Sequence, residues 1–230
     1  MKKHLGLLIF FLSTSIWSCT IIPYNNAKDQ YEISKNVIEN QLKTDSEASL
    51  YNRLLSRFIE LDTALTENEL KLIYYGQMIQ PEFSGYSQQP QFSEVFENIH
   101  NKKLGDALVQ IDSIVIKAPL NLTANYLKSY LVSEIYPKLP ATKQRIQITN
   151  KLFDAILSTG DGRDEKNAID VVSIADEYFI CYSLLLTGDV LNQTLITSKK
   201  RIYDKLTVNP NENYKHKEVW FDITNIFEVF

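Results

Sequence analysis

The sequence predicts an α+β protein: a helical N-terminal part built as an array of hairpins, followed by a C-terminal antiparallel β-meander of about five strands. Three observations carry this. Apolar residues recur at helical spacing from Asp29 to about Leu157. The string Gly160-Asp161-Gly162 interrupts that periodicity. Beyond it, short β-rich runs alternate with turn residues. Helices first and strands afterwards give the α+β class.

The chain divides into residues 1–18 as a signal peptide, 19–28 as a lipidated tether, 29–158 as the helical region and 159–230 as the β region, the last two expected to pack as one unit. Lys2 and Lys3 form a positive leader, Leu5 to Leu12 an apolar run, and Ser13 to Ser18 a zone rich in small residues, the layout of an export signal. A bilayer-crossing helix needs about 20 apolar residues, so this run is too short to span. Ile16-Trp17-Ser18-Cys19 resembles the lipobox of bacterial lipoproteins, in which the cysteine sulfur takes a diacylglycerol and, once the leader is cut, a palmitate-type chain at its amine. Each buried methylene contributes about 0.8 kcal/mol, and two or more chains anchor stably. Thr20, rather than Asp, after Cys19 favours sorting to the outer membrane of a Gram-negative envelope, on either its periplasmic or its surface face.

Loss of the leader removes two lysines. The mature chain then carries 24 − 2 = 22 basic residues against 28 acidic ones, a net charge of −6 over 230 − 18 = 212 residues. An acidic chain whose one basic cluster, Lys199-Lys200-Arg201, has no stacking platform beside it is a poor nucleic-acid binder. With Cys19 lipidated, Cys181 has no partner for a disulfide. Its apolar surroundings, Tyr178 to Leu186, describe a small buried residue, and only His100 and His216 could activate it in the mature chain.

The helices follow in order. Stripes run through Ile33, Val37 and Leu42; Leu50, Leu54, Phe58 and Leu61; Leu70, Ile73, Tyr74 and Met78; and Phe92, Val95, Phe96 and Ile99. Thr66 followed by Glu69 fits a capping box, and Pro81 stops the third stripe. Leu104 to Val115 forms the next helix, ended by Ala118-Pro119, and Ala124 to Leu131 the one after. The stretch from Gly105 to Asn121, with Ala107 and Pro119 twelve positions apart, resembles the second helix and exit of a tetratricopeptide unit. A single such unit makes the helical region a tetratricopeptide-like hairpin array of degenerate type. Tyr136-Pro137 and Leu139-Pro140 break the chain before a last helix carrying Leu152, Phe153 and Ile156. Five strands are then expected over 169–174, 178–186, 190–197, 202–208 and 218–224, with Asp176-Glu177, Thr187-Gly188-Asp189 and Asn209-Pro210-Asn211 as turns.

Several strings carry a wider resemblance: Asp62-Thr63-Ala64-Leu65-Thr66, Leu72-Ile73-Tyr74-Tyr75-Gly76, Ser158-Thr159-Gly160-Asp161-Gly162, Ser173-Ile174-Ala175-Asp176-Glu177-Tyr178 and Trp220-Phe221-Asp222-Ile223. In this order and spacing the chain, from about Asp29 to its C-terminus, resembles the lipoprotein family catalogued as domain of unknown function 4919, found in Bacteroidota. The resemblance implies a two-membrane host, a helical front half and a β back half. It carries no activity and no cofactor.

Candidate chemistry is sparse. Gly160-Asp161-Gly162-Arg163-Asp164-Glu165 is the richest loop, and Asp161, Asp164 and Glu165 could face a hard cation or other ligand, although the spacing departs from helical calcium loops and also suits a helix-to-strand turn. Asp176 and Glu177 could act as an acid and base pair for glycoside cleavage, but adjacent acids in a turn are ordinarily solvated. Tyr86, in a Ser-Gly-Tyr-Ser loop, is the candidate exposed aromatic. No catalytic order of nucleophile and base, zinc spacing or phosphate loop is recognisable. The expected function is that of a membrane-anchored interaction module, with membrane lipid through Cys19 and an envelope protein or peptide as partners; a glycan-binding or hydrolytic protein is the alternative.

Overall fold

The computed structural model describes residues 35–43, 50–80, 83, 85 and 92–227. The expected leader, the expected tether with Cys19, and Tyr86 lie outside the described residues. Among the described residues seven helices come first: α1 (Lys35–Lys43), α2 (Leu50–Ile59), α3 (Glu67–Gly76), α4 (Ser93–His100), α5 (Leu104–Lys117), α6 (Leu122–Ile135) and α7 (Pro140–Leu157). Of the first expected stripe Ile33 lies outside the described residues, Val37 is half-buried and Leu42 is buried; the later stripes supply Leu54 and Phe58 of α2, Ile111 of α5 and Leu152 and Phe153 of α7 to the core.

Local chemistry explains the helix ends. Thr66 Oγ1 accepts from the Glu69 amide at 3.2 Å, and the Thr66 amide donates to Glu69 Oε2 at 2.8 Å, completing the capping box that starts α3. Arg57 reinforces it, donating to Asp62 Oδ2 and to Glu69 Oε1 at 2.7 Å each, so the end of α2 is tied to the start of α3. α3 stops at Gly76, continuing only as a 3₁₀ turn over Gln77–Ile79. A Cβ at Gly76 would lie 2.8 Å from the Tyr51 ring, so the glycine lets α2 approach. Asn121 caps α6 by accepting from the Ala124 amide at 2.9 Å, and Pro140 takes the first position of α7, where a missing amide hydrogen costs nothing.

Helices α4, α5, α6 and α7 pack in chain order. α3 packs against α7, and α1 and α2 pack against α3. The array therefore closes on itself by a long-range contact instead of extending as a row.

Among the described residues the β region has four strands, not five: β1 (Ile169–Asp170), β2 (Asn192–Ser198), β3 (Arg201–Thr207) and β4 (Glu218–Asp222), in the order β1-β4-β3-β2. The β2–β3 and β3–β4 pairs are antiparallel, whereas β1 lies parallel to β4 with Ile169 opposite Phe221 and Asp170 opposite Asp222. The expected strand over 178–186 is instead the end of a helix, α8 (Ile174–Phe179), which continues as a π turn over Ile180–Leu184. Ser173 is its cap, Oγ accepting from the Ala175 amide at 3.3 Å, and Asp176 and Glu177 fill its first turn where the helix dipole favours acids. The acids expected in a turn are therefore helical. A short α9 (Thr224–Phe227) follows β4.

The glycine turn behaves as the sequence suggests. Gly162 takes φ +71° beside Val219, and a Cβ at Gly160 would collide with the carbonyls of Asn167 and Ala168. One hydrophobic cluster runs from Ile38 of α1 to Ile226 of α9 through both halves. No helix among the described residues is long and apolar enough to cross a membrane.

Candidate functional site

Polar groups are concentrated where the helices meet the sheet. Tyr74 and Tyr75 of α3 are buried, their rings 4.9 Å apart and edge-on at 79°. A buried phenol needs a partner, and each finds one across the fold. Tyr74 donates to Asp176 Oδ2 at 2.7 Å, and Tyr75 donates to the Asp170 carbonyl at 3.0 Å. The Asp170 amide in turn donates to Thr159 Oγ1 at 3.0 Å. Burial pushes the Asp176 carboxyl up to about 7, against the opposing pull of the Tyr74 hydrogen bond. The strings that carry the family resemblance thus converge on one joint: α3, the turn after α7, the start of α8 and the end of β4.

Side chains alternate across the pleat, so register sorts the sheet into two faces. The face beneath α8 carries Ile169, Val219, Phe221 and Leu206, all fully buried, together with Asp204. The opposite face carries Asp170, Asp222, Tyr203, Lys205 and Trp220. On it Arg201 donates to Asp222 Oδ2 at 2.6 Å, Asp222 Oδ1 accepts from the Thr224 hydroxyl at 2.6 Å, and Lys205 pairs with Glu218 at 2.9 Å beneath the Trp220 ring. Asp170 is half-buried as a residue, yet its carboxyl is withdrawn from water, and this burial, followed by the charge of Asp222, raises it well above the ordinary carboxylate range; Arg201 and Lys71 act in the opposite sense. In-register parallel strands bring these two acids within about 5 Å at their Cα atoms, with Tyr203 and Trp220 beside them.

Beneath α8 lies a second acid pair. Glu177 is fully buried, and neither of its carboxyl oxygens finds a donor; Asp204 Oδ1 is also without one. Two facing acids with no donor between them require a shared proton, and burial followed by the nearby Asp204 raises Glu177 well above its usual range. Gln193 of β2 donates its amide to Asp204 Oδ2 and accepts from the Tyr178 hydroxyl at 2.6 Å, so the outermost strand is held to α8 from one face.

The outer edge of that strand is open: no strand among the described residues pairs with β2 except β3. The Ile202 amide and carbonyl bond to Thr224 Oγ1 and the Ile223 amide, on the side away from β2. Its opposite number, Thr197, is therefore in a non-bonded pair and aims its own amide and carbonyl outward, as do Gln193 and Leu195 at alternate positions. Asn192 to Ser198 contains no charge, and Leu191 and Leu195 are 59% and 58% exposed. Tyr178 and Tyr182 of the overlying helix lie nearby, their ring centres 6.1 Å apart and their planes tilted by 36°.

The other sequence-expected residues are not gathered into one centre. Asp164 caps the 3₁₀ turn Glu165–Asn167, accepting from the Lys166 and Asn167 amides at 3.0 and 3.1 Å and from the Asn167 side chain at 2.7 Å. Asp161 accepts from the Arg163 amide at 3.2 Å, and Glu165 turns away to accept from Ser198 at 2.8 Å. Among the described residues no three such side chains are grouped to hold a metal ion. Asp176 and Glu177 are buried and point to different partners, Tyr74 and Asp204, so they do not act as a solvated pair. Cys181 is fully buried, which drives its thiol far above the ordinary range. Sequence reasoning missed Asp170, Asp204, Asp222 and Gln193. Ser173 followed by Asp176 is a helix-start signal that would have moved the acids onto α8.

No curated protein and no solved structure matches the chain. The profile of the family described as Domain of unknown function (DUF4919) matches residues 36–229, which takes in α3, the Gly160 turn, α8 and β4, the four places that meet around Tyr74 and Tyr75. The chain belongs to this DUF4919 family.

Proposed function

We propose that this protein is an envelope lipoprotein, held to the outer membrane through acyl chains on Cys19, that works as a protein- or peptide-interaction module and binds by adding a strand to β2. The observation that carries the reading is the open, uncharged edge of Asn192–Ser198. Free edges are usually blunted by lysine, proline or bulges because unpaired amides and carbonyls recruit other chains. This one keeps three outward residues, Gln193, Leu195 and Thr197, with leucine at the centre. Strand addition uses main-chain bonds for affinity and alternate side chains for selectivity. The binding surface is thus assigned to the sheet, with the helices as its support. Crosslinking in intact envelopes is expected to recover a specific protein with the unaltered chain and to lose it with Leu195→Pro. Recovery of only lipid and abundant porins, or the same product from both chains, contradicts the reading.

A second reading is favoured by the other sheet face, where Asp170 and Asp222 lie side by side with Tyr203 and Trp220. Two neighbouring carboxyls, one of them raised above the ordinary range by burial, are the arrangement of glycoside chemistry, and aromatic rings stack on sugars. It moves the glycan alternative from Asp161 and Asp176 to this pair. If a glycan binds or is cleaved, Trp220→Ala and Asp170→Asn abolish the signal; a signal that survives both changes rejects the assignment.

A further inference from the structure

The edge of β2 is complementary to itself. Its outward residues are spaced symmetrically about Leu195, with Gln193 two positions before and Thr197 two positions after. Immediately beyond the strand on one side are Lys199 and Lys200, and three residues before it on the other side is Asp189, all exposed. We propose that β2 pairs with β2 of a second copy of this chain, antiparallel about a two-fold axis at Leu195, joining two four-stranded sheets. This rests on the reading of β2 as the binding edge and names its partner.

The two-fold is of the kind antiparallel ladders contain, normal to the sheet at a bonded pair. It sets Leu195 against Leu195 of the other copy, and Gln193 against Thr197, an amide against a hydroxyl. Each outward residue exchanges both of its backbone bonds with its counterpart. The same operation carries Lys199 and Lys200 of each copy beside the Asp189–Leu191 segment of the other, so opposite charges meet at both ends while the centre stays apolar. An arbitrary uncharged peptide would satisfy the ladder but leave the lysines and Asp189 unmatched.

The β2–β3 turn adds an independent observation. Lys199 and Lys200 hold φ +48° and +70°, the conformation of a two-residue type I′ turn that favours Asn-Gly. Two lysines are strained there, because in the left-handed region a Cβ crowds the following carbonyl oxygen. A charge needed at the strand end accounts for lysines in a turn that would fold better without them.

The test uses the full chain with its own signal in intact cell envelopes. With the photocrosslinking residue p-benzoylphenylalanine in place of Leu195, irradiation is expected to give a product of twice the chain mass whose two crosslinked peptides both derive from this chain around position 195. A product joined only to a different protein overturns the second-copy assignment and leaves the binding edge standing. No crosslinked protein at all overturns both. Register is tested by co-expressing Gln193→Cys with Thr197→Cys chains: the mixture is expected to form a disulfide between the two variants, because a bonded pair places Cα atoms about 5.5 Å apart. Each variant alone has its cysteines about 14 Å apart and is expected to stay monomeric on a non-reducing gel. Single variants that link as well as the mixture contradict the pairing about Leu195.

Discussion

Asp176 shows how a single residue couples stability to pH. Its carboxyl titrates near 7 in the folded protein, against an ordinary value near 3.8. Below that ordinary value both states hold the proton and no penalty exists. As pH rises from about 4 to 7 the unfolded chain ionises while the folded one keeps its proton, so stability falls; above 7 the full penalty, about 4 kcal/mol, is present. Asp176→Asn, which still accepts from Tyr74, is expected to flatten the pH dependence in that window and to raise stability at pH 8 by up to this amount, as read by denaturant titration at pH 5 and pH 8. Tyr74→Phe is expected to do the reverse, removing the one donor to Asp176 and costing about 1–3 kcal/mol. For the other buried acid, Glu177→Gln replaces a shared proton with a permanent amide donor beside Asp204 Oδ1. It is expected to stabilise the protein at pH 7 and above by about 1–3 kcal/mol, with little change where Glu177 would carry its proton in both states.

These residues also show why some features are legible in a sequence and others are not. The Thr66–Glu69 box closes over three positions and was readable from spacing alone. Tyr74 and Asp176 meet across 102 positions, and nothing local in Asp176-Glu177 tells a solvated turn from the first turn of a buried helix except the Ser173 cap.

At the scale of the element, β2 separates two kinds of backbone group. The Leu195 amide points to solvent and the Ile196 amide points to β3. Proline is tolerated where the missing amide faces outward on an edge strand. Leu195→Pro is therefore expected to melt within a few degrees of the unaltered protein, whereas Ile196→Pro breaks the ladder and costs about 2 kcal/mol or more, roughly 4–8 °C in a chain of this size. Equal losses from both would place the outward register elsewhere. Replacing Lys199-Lys200 with Asn-Gly is expected to stabilise the hairpin by about 1–2 kcal/mol in total while weakening any pairing that depends on the lysine charges. Helical elements were legible because a stripe of apolar residues repeats every three or four positions, as in Leu50, Leu54 and Phe58. The segment 178–186 was not, since a continuous apolar run serves a buried helix as well as a buried strand, and here the Ser173 cap and the π turn at Ile180–Leu184 decide for the helix.

For the whole molecule, the α+β order was legible from the change of period at Gly160, but the parallel pairing of β1 with β4 was not, because it depends on α8 and both antiparallel strands intervening between Asp170 and Asp222. That pairing brings two acids together which no sequence motif joins. The closure of α3 on α7 is likewise invisible in local spacing. Attachment to the membrane belongs to this scale too: Cys19→Ala is expected to abolish labelling with palmitate and to move the protein from the membrane pellet to the soluble fraction. Retention in the pellet without label contradicts anchoring through that sulfur.

The central claim, that the molecule acts by recruiting a strand to β2, is tested most directly by amide hydrogen exchange over residues 191–198 in intact envelopes and in purified protein diluted in detergent. The alternate amides of Gln193, Leu195 and Thr197 are expected to exchange at least about tenfold more slowly in the envelope, while those bonded to β3 change little. Equal and rapid exchange of the three in both settings would contradict the claim.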